Sequence, residues 1–69
     1  MIVGRITYSK HARNRMILRG ISSHEVREAI RKGKKRMQDD RIVSTYLYFE
    51  VVYRSVDDTI CVITVKPRW

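Results

Sequence analysis

The chain has 69 residues, 43% of them apolar, so it forms one domain (1–69): a second would be too small to bury a core, and the ordered recurrence of apolar residues excludes disorder. A single cysteine, Cys61, excludes an internal disulfide and points to a reducing compartment. The formal net charge of +8 is lopsided: residues 1–36 carry 11 Lys/Arg and two Glu, a net +9, while residues 37–69 carry four Lys/Arg and five Asp/Glu, a net −1.

Taken along the chain, Met1-Ile-Val-Gly-Arg lacks the apolar core and cleavage site of a signal peptide. No apolar run approaches the ~18 residues that a membrane helix needs. The chain is therefore expected to be cytoplasmic, without membrane contact. Arg5 to Tyr8 suits a short strand. Ser9 is a good N-cap for a first helix over Lys10–Arg19, and Gly20 suits the residue just past its end. Ser22-Ser-His-Glu25 is a capping box that opens a second helix, with Ile21 and Val26 at the positions of a hydrophobic staple. Val26, Ala29 and Ile30 form its apolar stripe, Gly33 stops it, and Arg27, Glu28, Arg31 and Lys32 face solvent.

Beyond Gly33 the residues become β-branched and aromatic. Lys34 to Gln38 reads as a strand and Asp39-Asp40 as a turn. Arg41 to Phe49 and Glu50 to Val56 are strand-like, but no Gly, Pro or Asn parts them: either a turn lies near Tyr46–Tyr48 or one long strand bends there. Asp57-Asp58 is a turn, and Thr59 to Lys66 is the last strand. A three-residue loop, Asp57 to Thr59, best sorts the faces of this hairpin. It places Phe49, Val51 and Tyr53 with Cys61, Ile63 and Val65 in the core and sets Glu50 opposite Lys66. The expected fold is α+β, a two-helix hairpin packed on one face of an antiparallel sheet of three to four strands.

The charge asymmetry calls for a polyanion or an acidic protein as partner. A partner chain or homodimer would also help a core this small. His11 sits in the first helical turn with Arg15 one turn later; a helix start flanked by Lys10, Arg13 and Arg15 disfavours a further positive charge and attracts phosphate. A histidine so placed suits proton transfer in RNA cleavage, with Arg15, Arg19, Arg54 or Lys66 as cations on the phosphorane. The alternative is a histidine that merely hydrogen-bonds near a helix start; His24 reads as surface. Lys32-Gly-Lys34-Lys35-Arg36 suits phosphate contacts, and equally a solvated helix end. Phe49 and Tyr53 are expected in the core, and Trp69, beside Arg68, is the better candidate for stacking on a base. His11, His24 and Cys61 lack metal-ligand spacing, so neither metal nor cofactor is expected.

The stretch His11-Ala-Arg-Asn-Arg15-Met-Ile-Leu-Arg19-Gly20-Ile, followed by Glu25-Val, Ala29-Ile and the strand Val62-Ile-Thr64-Val65, resembles a family of small domains of unknown function with a His-Ala-x-x-Arg-Met-x-x-Arg-Gly-Ile signature. That family looks like a branch of the RelE/ParE-type toxin fold, grouped with barnase-like and EndoU-like ribonucleases. The resemblance implies two helices on a sheet, a role as the toxin of a toxin–antitoxin pair with an acidic antitoxin as partner, and His11, Arg15, Arg19 and Thr64 as site residues. The combined expectation is a metal-independent endoribonuclease. Its catalytic set is His11, Arg15, Arg19, Arg54, Thr64 and Lys66; its RNA contacts are Lys10, Arg13, Lys32, Lys34, Lys35, Arg36 and Trp69. The rivals are a non-catalytic nucleic-acid-binding module and a toxin domain that acts by binding a protein such as gyrase.

Overall fold

A computed structural model describes residues 5–68; Trp69 lies outside them. The elements are β1 (Arg5–Tyr8), α1 (Lys10–Arg19), α2 (Ser23–Lys32), β2 (Lys34–Gln38), β3 (Arg41–Tyr46), β4 (Phe49–Val56) and β5 (Thr59–Pro67). The sheet has five strands in the order β1-β5-β4-β3-β2, rather than the three or four expected. Four of them meander antiparallel; β1 joins the far edge of β5 in parallel. A parallel neighbour needs a long crossover, and α1, α2 and the whole meander supply it.

Both helix starts form as their residues dictate. The Ser9 hydroxyl accepts from the Ala12 N–H at the head of α1, and Ser22 and Glu25 satisfy each other's backbone N–H at the head of α2. Gly20 adopts φ 68°, its N–H reaches Ile17 O, and Ile21 N–H reaches Met16 O at 2.9 Å. This is a Schellman ending, with Ile21 packed down into the core. α1 lies over β5 and β1, and α2 over β3 and β4, so each helix takes its packing from the sheet. The core between helices and sheet holds Ala12, Ile21, Val26, Ala29, Ile30, Phe49, Val51, Tyr53, Ile60, Val62 and Val65.

Gly33 ends α2 by close approach. Its φ of −66° is open to any residue, but a Cβ there would collide with Ser44 Oγ and Ala29 O and come within 2.9 Å of Thr45 O. The Ser44 hydroxyl, fully buried under this crossing, donates to Ala29 O and ties α2 to β3.

Residues 41–56 are two strands joined by a two-residue turn at Leu47-Tyr48, since Tyr46 pairs with Phe49. All three hairpin turns place a non-glycine residue at positive φ: Asp39 (59°), Leu47 (53°) and Asp57 (56°). Aspartate enters this region more readily than leucine, and so only Leu47 gave no turn signal.

The β4–β5 register corrects the expected one in part. Glu50 does face Lys66, and Val51 faces Val65. Nearer the turn, however, Val56 pairs with Thr59 across a two-residue loop, and the register shifts between Val52 and Tyr53, leaving Ile63 as an extra residue on β5. This β-bulge reverses the facing of the strand. Ile60 and Val62 therefore join Val65 in the core. Cys61 was expected there; instead it is half-buried, opposite Arg54 on the other face. The bulge is held by α1: Ser9 N–H donates to Val62 O at 3.0 Å, and the Ser9 hydroxyl donates to Ile63 O at 2.7 Å.

The acidic groups of α2 set its response to pH. The Ser22 N–H holds Glu25 below its usual value of 4.5, aided by the Ser22 and Tyr48 hydroxyls. A hydrogen bond from Lys32, with the Lys32 and Arg31 charges, holds Glu28 below 4.5. Carboxyls depressed in the folded state stabilise it fully above their unfolded value and lose that effect as pH falls through the folded one. The melting temperature is thus expected to hold steady from neutral pH downwards and to fall below about pH 4.5. Thermal melts should show a shallower acid fall in Glu28→Gln. An identical fall in the variant would remove Glu28 from this account.

Candidate functional site

Strand alternation sends one set of side chains to the helices and the other to a face that no helix covers. Register places Lys34 and Arg36 (β2), Arg41, Val43 and Thr45 (β3), Glu50, Val52 and Arg54 (β4), and Cys61, Thr64 and Lys66 (β5) on this open face. Val43 and Val52 pair at its centre and are buried without belonging to the main core. On β2 to β5 five cations thus share a face with one carboxylate, and Arg5 of β1 adds another at the sheet edge. The acidic excess of residues 37–69 comes from Asp39, Asp40, Asp57 and Asp58, all of which sit in turns rather than in the strands. Asp40 reaches back to Arg54 at 3.3 Å, both side chains being exposed.

Glu50 is the only buried charged residue among those described. Its Oε2 accepts from the Thr45 hydroxyl at 3.1 Å and from Arg36 Nη1 at 3.3 Å. Its Oε1 faces Lys66 Nζ at 3.9 Å. Beside it lies a cavity of about 380 Å³ lined by Lys34, Lys35, Arg36, Thr45, Glu50 and Arg68. Arg68 is anchored over the β3–β4 turn, its N–H on Tyr48 O and its Nη1 on Leu47 O, at 3.0 and 3.1 Å.

The expected site residues fall into two groups. Arg54, Thr64 and Lys66 lie on the open face with Arg36 and Lys34. His11, Arg15 and Arg19 lie along α1 with Lys10 and Arg13; His11 is exposed and Arg15 half-buried. The link between the groups is the Ser9 contact, which pins the first turn of α1 to Ile63, next in the chain to Thr64. The Lys32–Arg36 run divides. Lys32 pairs with Glu28 at 3.0 Å at the end of α2, Lys35 turns back onto Arg31 O and Gly33 O, and Lys34 and Arg36 face the open side. Phe49 and Tyr53 are core residues, and burial raises the Tyr53 phenol above its ordinary value. Among the described residues no three His, Cys, Asp or Glu side chains converge. No helix of the described residues is long and apolar enough to cross a membrane.

Two features were missed from the sequence. Glu50 carries one legible signal, a lone acid between Phe49 and three residues of Val51-Val52-Tyr53, and its pairing with Lys66 was foreseen; its other partners come from strand pairings that were not. The second feature is apolar. Ile17 and Leu18 are 80% and 70% exposed on α1. Ile17 lines a groove of about 530 Å³ together with Tyr8, Arg13, Met16, Gly20 and Ile21, among others. Burial raises the Tyr8 phenol, while the Arg27 charge opposes that shift.

A small mixed sheet thus carries two helices on one face and leaves a basic face open on the other. The chain belongs to the family described as a domain of unknown function, DUF4258, which matches residues 8–66. Among solved structures it is similar to a chain of the toxin–antitoxin complex RelBE2 of Mycobacterium tuberculosis, with a TM-score of 0.69 over 97% of this chain and 100% of that one, at 18% identity. No curated protein matches it. The likeness establishes the fold.

Proposed function

We propose that the chain is the toxin-type member of a toxin–antitoxin pair, and that it cleaves RNA without a metal ion by attack of a ribose 2′-hydroxyl on the adjacent phosphate. The observation that carries this reading is the open sheet face, where Lys34, Arg36, Arg41, Arg54 and Lys66 share one surface with a single buried carboxylate, Arg36 and Lys66 being the cations beside it. Fixed cations hold the phosphate and offset the charge that develops on the phosphorane. Arg54 and Lys66 take this part, with the Thr64 hydroxyl donating to a phosphate oxygen. Lys10, Arg13, Arg15 and Arg19 belong to α1 on the helical side of the sheet, where they would meet phosphates of a strand that passes round the sheet edge. The toxin-type fold and the exposed Ile17 and Leu18 support a protein partner.

Proton transfer has two candidate places, His11 on the turn pinned to Ile63 and the titratable groups of the open face. Purified protein incubated with single-stranded RNA, with and without chelator, is expected to yield fragments ending in a 2′,3′-cyclic phosphate in both cases. Loss of cleavage in His11→Ala by about 10²-fold or more would assign proton transfer to α1, and retained cleavage would assign it to the sheet. Binding without any products would leave a non-catalytic module.

A further inference from the structure

An acid inside a sheet needs a reason. β4 is buried from Phe49 through Tyr53, and valines flank Glu50 two positions along and across the same face. Replacing a buried ion pair by apolar residues of similar volume is often neutral or stabilising, so such a group is weak as a stabiliser. Glu50 is also divided in its bonding. Oε2 is fixed by Thr45 and Arg36, whereas Oε1 has only Lys66 at 3.9 Å among the described residues, beyond hydrogen-bond length. One oxygen holds the carboxylate still; the other keeps its lone pairs for something else. The cavity alongside is lined with cations, as a phosphodiester requires.

We propose that Glu50 is the general base of RNA cleavage and Lys66 the general acid beside it, an inference that rests on the RNA-cleavage reading above. Oε1 takes the proton of the 2′-hydroxyl. The 2′-oxygen bonds to phosphorus while the bond from phosphorus to the 5′-oxygen breaks, its electron pair leaving with that oxygen. The Lys66 ammonium gives the 5′-oxygen a proton. The products are a 2′,3′-cyclic phosphate and a 5′-hydroxyl. The proton then passes from the Glu50 carboxyl to the Lys66 amine 3.9 Å away, which restores both groups. Arg36 serves twice, orienting Oε2 and meeting the phosphate, while Lys34 and Arg68 bind at the rim. The site as a whole stays positive, so the carboxylate does not prevent phosphate from binding.

Single-turnover cleavage of a short RNA tests this. Glu50→Gln keeps the shape and the Thr45 contact but cannot act as a base. It is expected to slow cleavage by about 10²–10⁴-fold, with RNA affinity unchanged or raised because a negative charge is gone. Lys66→Arg, which keeps the charge but does not release a proton, should also lose cleavage while binding RNA normally. Glu50→Asp guards against misfolding: folded but displaced, it should recover part of the rate that Glu50→Gln loses. Cleavage by folded Glu50→Gln within about threefold of wild type would overturn the assignment. A wild type that binds RNA and yields no products would overturn the cleavage reading itself, and the base with it.

Discussion

Gly33→Ala is expected to be the most damaging single-methyl change in the chain. The added Cβ has no room: Ser44 Oγ, Ala29 O and Thr45 O close on it from α2 and β3, and two of the three are main-chain atoms that cannot swing aside. Relief would have to part α2 from β3, which would strip the buried Ser44 hydroxyl of its Ala29 acceptor. Overpacking together with an unsatisfied buried hydroxyl costs about 2–4 kcal/mol. In a domain this small that lowers the melting temperature by roughly 10–20 °C. Gly20→Ala is the informative comparison. Gly20 has the left-handed φ of 68°, but nothing lies within 4 Å of its Cβ position, so the change carries only backbone strain of about 1 kcal/mol. Calorimetry should therefore rank Gly33→Ala well below Gly20→Ala. The reverse order would mean that the α2–β3 crossing is looser than described.

Charge reversal on the open face should have the largest effect on RNA binding. Lys34→Glu with Arg54→Glu removes two cations from that face without touching the partners of Glu50. Affinity for single-stranded RNA is expected to fall about 100-fold at moderate salt. The slope of log affinity against log salt should flatten by about 1.4, since each phosphate contact contributes roughly 0.7 on a single strand. The loss should be even across sequences, because phosphate contacts read no bases. Arg15→Glu with Arg19→Glu, on α1, should weaken binding less. If the α1 pair proves the more damaging, RNA lies on the helical side and the open face is not the site.

Much of the helical half was legible in the residues. Ser9, Gly20, the Ser22–Glu25 box and the Ile21–Val26 staple each solve a local problem of unpaired backbone groups, and a local problem has a local signature. The sheet was less so. The turn at Leu47-Tyr48 carries no Gly, Asn or Asp, and leucine at φ 53° is tolerated only because the strands on both sides demand it. The bulge at Ile63 is hidden for a similar reason: its extra residue is held by Ser9, more than fifty positions earlier. The register of a three-residue loop, expected for the whole hairpin, holds beyond the bulge, and that of a two-residue loop holds between the bulge and the turn. The open face was harder still. Summed by position, residues 37–69 are nearly neutral; summed by facing, their cations gather and their aspartates retire to the turns.

The parallel pairing of β1 with β5 has a consequence for the order in which the molecule can come together. Arg5 to Tyr8 have no strand to join until Thr59 to Val62 have been made, and α1 lies on those same two strands. The Ser9 hydroxyl likewise waits for the Ile63 carbonyl. During synthesis, β2, β3 and β4 can pair as they emerge, while the opening segment must remain unplaced until β5 clears the ribosome. Lys66, which completes the neighbourhood of Glu50, arrives on that same late strand. A partially synthesised chain therefore has neither its first helix docked nor its charged cleft assembled, and both are completed by one closing step.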